Sequence, residues 1–92
     1  MAELDTSDFE AEVKAEGYEV LAKGMDPNET IDDHTHDFDV QLLVTAGEIS
    51  VTVDGETTTC RAGDRFALAA NRVHSEVVGP EGVSYVVGRR NP

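Results

Sequence analysis

The chain has 92 residues and a mass of 9.9 kDa, enough for one small core and too little for two. Its apolar fraction is 39 % with no Trp, and 19 acids against 7 basic residues leave a net charge of -12. That balance excludes nucleic-acid binding and argues against docking on anionic membranes, and apolar runs such as Ala67 to Ala70 are far too short to span a bilayer.

Residues 1–17 read as an N-terminal helical segment ahead of a β domain over 18–92. The N-terminus is acidic where a secretory signal would be basic and then apolar, so a cytoplasmic location is expected. Asp5 to Glu16 has the pattern of a short amphipathic helix. Thr6 or Ser7 can cap it, and Glu10, three residues past Ser7, completes a capping box. Phe9 and Val13 share one face, and Gly17 ends the helix.

From Tyr18 onward the apolar period is two. Short β-prone runs recur at Tyr18–Gly24, Phe38–Thr45, Glu48–Val53, Thr57–Cys60, Arg65–Leu68, Val73–Val78 and Val83–Gly88. Turn residues divide them, and Asp54-Gly55 is the sharpest signal, a two-residue type I′ hairpin. Many short strands in a chain this small imply an antiparallel sandwich or barrel. The single cysteine, Cys60, can form no internal disulfide, which fits a reducing compartment.

Charge is spread unevenly. Residues 1–46 carry 13 acids and two lysines, while residues 47–92 carry six acids and five arginines. The acidic half is either a docking face for a cationic partner or a solvated surface of the kind a salty cytoplasm favours.

The three histidines are His34, His36 and His74. The first two form His34-Thr35-His36 at the start of an expected strand, where residues i and i+2 point the same way. Two neutral imidazoles so placed offer adjacent coordination positions to a divalent metal, and otherwise are two exposed polar side chains. His74 opens another strand after the turn Ala70-Asn71.

With Gly63 opening the segment to His74, and Gly47 closing the hairpin after the H-x-H pair, the sequence resembles the small single-domain cupins. Asn28 stands for the opening glycine of the first motif, and Ala69 and Asn71 replace the proline and glycine of the second. Asparagine tolerates the left-handed turn conformation that such glycines adopt. The resemblance covers about residues 27–78 and implies an all-β fold, a small antiparallel jelly-roll β-barrel with a short N-terminal helix. It also implies a metal site at His34, His36 and His74, filled by zinc, iron, nickel or manganese.

One departure is the missing glutamate of the first motif. Its place falls on Val40 or Gln41, and Gln41 could offer a neutral amide oxygen to the metal. Asp37 and Asp39, beside the pair, read as solvated acids.

The resemblance leaves the activity open between a metal-binding domain with no assigned reaction, a metal-dependent oxygenase or isomerase of a small molecule, and a non-catalytic ligand-binding dimer with vestigial histidines. Second players in any chemistry would come from Tyr18, Tyr85, Cys60, Arg65 or Arg72. Cys60 reads otherwise as core, and the two arginines as surface ion pairs. Phe38, Phe66, Leu42, Val44, Val51 and Val53 are expected to fill the barrel, with the two phenylalanines at the pocket mouth. The resemblance further implies a homodimer, joined along Tyr18–Ala22 or Val83–Val87 as an edge strand, and a small-molecule ligand.

Overall fold

The computed structural model describes residues 4–92; residues 1–3 of the expected helical segment lie outside the described residues. Helix α1 spans Ser7–Ala15, followed by β1 (Glu19–Met25), β2 (Thr30–His34), β3 (Asp39–Val53), β4 (Glu56–Arg61), β5 (Arg65–Leu68) and β6 (His74–Arg90).

The framework is the antiparallel pair β3 and β6, of 15 and 17 residues, each expected as two shorter strands. Each is bent at its middle and serves two sheets. The first half of β3 pairs with the second half of β6, flanked by β1 and β5. The second half of β3 pairs with the first half of β6, flanked by β2 and β4. Folding these two halves over each other makes the antiparallel jelly roll.

The bend is built by glycine. Register shifts fall between Val44 and Ala46 and between Gly47 and Ile49, and Gly47 has φ 74. Across from it Gly82 has φ 79. A Cβ on Gly47 would stand 1.9 Å from the Gly82 carbonyl oxygen, so the two backbones close to a distance that no side chain permits.

The bulged region also changes which residues face inward. Before the bend the interior of β3 is made by Leu42 and Val44, and after it by Ile49 and Val51. On β6 the switch is from Val78 to Val83 and Val87. With Cys60 these residues form the main core, and Met25, Val40, Val53, Phe66 and Tyr85 pack against it. Cys60 is therefore a buried thiol, its pKa raised by burial and then by Asp64.

Helix α1 covers the outer face of one sheet. Phe9 and Val13, each 1 % exposed, pack with Tyr18 and Leu43. The capping box does not form. No side chain caps at Thr6; its hydroxyl instead donates to Glu10 Oε2 at 2.6 Å, and Asp5 Oδ1 accepts from the Ser7 N–H at 2.9 Å. Gly17, at φ 90, ends the helix by donating to the Lys14 carbonyl.

The turn expectations at three residues are met by left-handed backbone: Asn28 at φ 60, Asn71 at φ 66 and Asp54 at φ 53 before Gly55 at φ 80. Two expectations need correction. Thr30–His34 is a strand that its alternation hides, because two adjacent acids, Asp32 and Asp33, interrupt it. Val83–Val87 is not an edge, since it pairs with β1 on one side and β3 on the other. Among the described residues β1 pairs only with β6.

Two stability changes follow. Phe9→Ala should lower unfolding free energy by about 3–5 kcal/mol in denaturant melts, the cost of emptying a buried aromatic site. Gly47→Ala should destabilise clearly more than Gly63→Ala; both glycines have positive φ, but nothing lies within 4 Å of a Cβ at Gly63.

Candidate metal centre

His34 is the last residue of β2 and His74 the first of β6, and the two are cross-strand partners. His36 lies two residues beyond β2, in the connection to β3, so the pair sits at a strand exit and not at a strand start. Its carbonyl accepts the Asn71 N–H at 2.7 Å, which ties this connection to the turn before His74.

The ring centroids of His34 and His74 are 4.2 Å apart, and each lies 5.0 Å from that of His36. Their ligand nitrogens all fall within 4.8 Å of one another. His74 is 3 % exposed, whereas His34 and His36 are half-buried.

Backbone carbonyls orient two of the rings. His34 Nδ1 lies 2.8 Å from the Asp32 oxygen, and His74 Nδ1 lies 2.9 Å from the Arg72 oxygen. A carbonyl can only accept, so each Nδ1 carries the hydrogen. Each Nε2 is then left as the nitrogen able to take a metal. Glu76 Oε2 stands 3.4 Å from His34 Nε2, so a proton or cation held there has a carboxylate to balance it.

The third ring is held by stacking. His36 lies on Phe38 with centroids 4.8 Å apart and planes at 10°, and the Arg89 guanidinium sits 5.0 Å from the Phe38 centroid on the same ring. Burial, then His74, His34 and Arg89, hold His36 below the ordinary histidine pKa.

The three histidines open on a cavity of about 180 Å³ inside the barrel. Phe38 and Phe66 line it as expected, with Leu42 and Val51. Its polar wall beyond the histidines comes from Lys23, Glu76, Tyr85 and Arg89. Burial, and then Glu76, raise the Tyr85 pKa, so its phenol stays protonated as a hydrogen-bond donor.

Of the expected second players, only Tyr85 is there. Tyr18 belongs to the outer cluster under α1, where Arg90 lies 4.5 Å from its ring centroid. Arg65 pairs with Glu12 at 2.6 Å on the outside, and Arg72 pairs with Asp54. Gln41 is on the opposite side of β3 from the histidines, in a hollow with Tyr18, Ala67 and Arg90, while its neighbours Val40 and Leu42 face the cavity. The motif's carboxylate position is thus occupied inside the barrel by an apolar side chain. Asp39 is engaged, not merely solvated: it accepts from the Ala70 N–H at 2.9 Å and from Arg90 at 3.2 Å.

Glu76 and Arg89 were missed by the motif reading. Both carried a signal: His74-Ser75-Glu76 has the same i, i+2 spacing as the histidine pair, and Tyr85, Val87 and Arg89 alternate toward the cavity.

His36 also predicts a pH dependence. Below its ordinary value of 6.5 the unfolded chain binds the His36 proton more readily than the folded chain. Its contribution to stability therefore rises with pH and is lost as pH falls. Denaturant melts of metal-free protein between about pH 5 and pH 8 should show wild type losing stability relative to His36→Asn as the solution is acidified. A gap that stays constant with pH would refute this.

Comparison with known proteins agrees with the fold. The family profile described as Cupin domain matches residues 23–87. Among solved structures, one of unknown function from Rhizobium leguminosarum bv. viciae 3841 aligns with a TM-score of 0.77 at 17% identity, covering 100% of this chain and 98% of that one. An RmlC-like cupin from Shewanella frigidimarina aligns with a TM-score of 0.70 at 24% identity, over 82% of this chain and 67% of that one. KdgF from Halomonas sp. gives 0.65 at 20% identity, over 79% and 68%. At these identities the likeness is one of fold. Comparison with curated proteins gives no match. The profile match, spanning well over half of the sequence, places the chain in the cupin domain family.

Proposed function

We propose that this cupin binds one divalent transition metal through Nε2 of His34, His36 and His74 and presents it to a small molecule in the adjoining cavity. The supporting observation is the pair of carbonyl-anchored rings. With Nδ1 committed to the Asp32 and Arg72 oxygens, His34 and His74 are set in the tautomer that leaves Nε2 unprotonated for a metal.

The residues present fit such an ion. Three neutral imidazoles whose ligand nitrogens lie within 4.8 Å of one another would hold zinc, iron or nickel. Glu76 would offset part of the added charge from beside His34. When bound, the ion would supply Lewis-acid polarisation of a ligand oxygen or a lowered pKa for bound water. The chain itself would supply an apolar wall that limits solvent, a phenol donor at Tyr85 and a carboxylate acceptor at Glu76. Gln41 is outside the proposed ligand set.

A second reading, catalysis on that small molecule by an oxygenase or isomerase, is favoured by Tyr85 and Glu76 in the cavity. Beside a metal site the two groups could pass a proton to and from a bound ligand. Oxygen uptake by iron-loaded protein against a panel of thiols and diketones would test it, and turnover that Tyr85→Phe abolishes without loss of metal is the expected result.

In the same proposal the chain acts in the cytoplasm, supported by its free, buried Cys60, and no helix among the described residues is long and apolar enough to cross a membrane. Pairing of two copies along β1 would cover a strand edge that the fold leaves open.

Protein purified without a histidine tag should take up one equivalent of metal. It should gain about 2.7 kcal/mol of stability at a free metal concentration a hundredfold above Kd. His36→Ala and His74→Ala should each lose that gain. Uptake below about a tenth of an equivalent, or unchanged gain in both variants, would leave the histidines vestigial.

A further inference from the structure

The chain has five arginines, and four of them are paired. Arg61 meets Glu48, Arg65 meets Glu12, Arg72 meets Asp54 and Arg90 meets Asp39. Among the described residues Arg89 alone makes no ion pair, in a chain with 19 acids. It is also the one arginine that lines the cavity of the three histidines.

Chance exposure does not account for this. Arg89 is half-buried, and its guanidinium is set against the Phe38 ring, which also stacks with His36. The contact holds the guanidinium over the ring, and its N–H groups are unused, since no hydrogen bond from Arg89 is found among the described residues. The single acid lining the cavity, Glu76, is engaged at His34 and forms no pair with Arg89. Lys23 of β1 adds a second cation to the same wall.

Arg89 thus stands in the cavity close to the imidazoles, on the same Phe38 ring as His36. An oriented guanidinium with free donors matches a carboxylate, which it can hold through two parallel hydrogen bonds. At about 180 Å³ the space is below the roughly 300–1,000 Å³ of pockets that enclose drug-sized ligands, so the ligand is small.

We propose that Arg89 is the anchor for the carboxylate of a small organic acid whose other end reaches the three histidines. The proposal rests on the metal-site reading for what the far end of the ligand meets, and not for the anchor itself. The surrounding charge of -12 repels anions, so selection must come from the half-buried Arg89, with the exposed Lys23 at the cavity wall.

The test is calorimetric titration of the purified protein, metal-loaded and metal-free, with acetate, glycolate, lactate, pyruvate and malonate. Acetamide and lactamide serve as neutral counterparts. Metal content is measured separately for every variant, and folding by thermal melting. At least one acid should bind the metal-loaded protein while its amide does not. Arg89→Gln should weaken that acid by about tenfold or more, as loss of a bidentate charged pair requires. Arg89→Lys should fall between the two, and Arg61→Gln, which removes an outer ion pair, should change nothing. If Arg89→Gln unfolds the protein, the comparison of Arg89→Lys with wild type carries the test.

Equal affinities in wild type and the Arg89 variants would overturn the anchor, as would amides binding as well as acids or no acid binding a fully loaded protein. Failure to take up metal would instead overturn the metal site. The anchor would then stand if the metal-free protein still bound an acid in an Arg89-dependent way, and fall if it did not.

Discussion

The pairing of β3 with β6 carries the molecule. Two long strands, locked antiparallel and bent together where Gly47 meets Gly82, belong to both sheets at once. Every other strand hangs on one half of this pair. The bend is what turns a flat ladder into a container, because the two halves of each strand then face each other across an apolar core. It works only where two backbones can approach within a distance that a Cβ would forbid.

The candidate metal centre is a product of the same pairing. β2 joins β6 at its first residues, which makes His34 the cross-strand neighbour of His74. Cross-strand neighbours of this kind hold their side chains close without further support. His36 lies outside regular structure and needs other anchors: the Asn71 N–H on its carbonyl and the Phe38 ring against its own. Fixing three rings thus takes one strand pairing, two backbone carbonyls, one backbone N–H and one stacked aromatic.

Charge separates outside from inside. The outer arginines each meet an acid of the surface, and such exposed pairs contribute only about 0–1 kcal/mol apiece. Their number says little about stability. Their use of acids does distinguish Arg89, which faces the cavity and is left with an aromatic ring as its neighbour. In so acidic a chain, a cation without an acid is a more specific feature than a cation with one.

Much of the fold was legible in the residues themselves. Alternation marked most strands, Asp54-Gly55 marked its hairpin, Gly17 ended the helix, and the H-x-H spacing pointed two imidazoles to one side. These are local properties, set by backbone preferences within a few residues. What lies inside the barrel was decided by tertiary structure. The inward face of β3 and β6 changes parity across the bend, so a position counted along the chain does not tell which side it takes. That is why Glu76 and Arg89, an even and an odd position from opposite halves of one strand, reach the same cavity, while Gln41 faces outward between the inward Val40 and Leu42. Period two determines the sides of a strand relative to one another; only the closed sheets determine which of them is the interior.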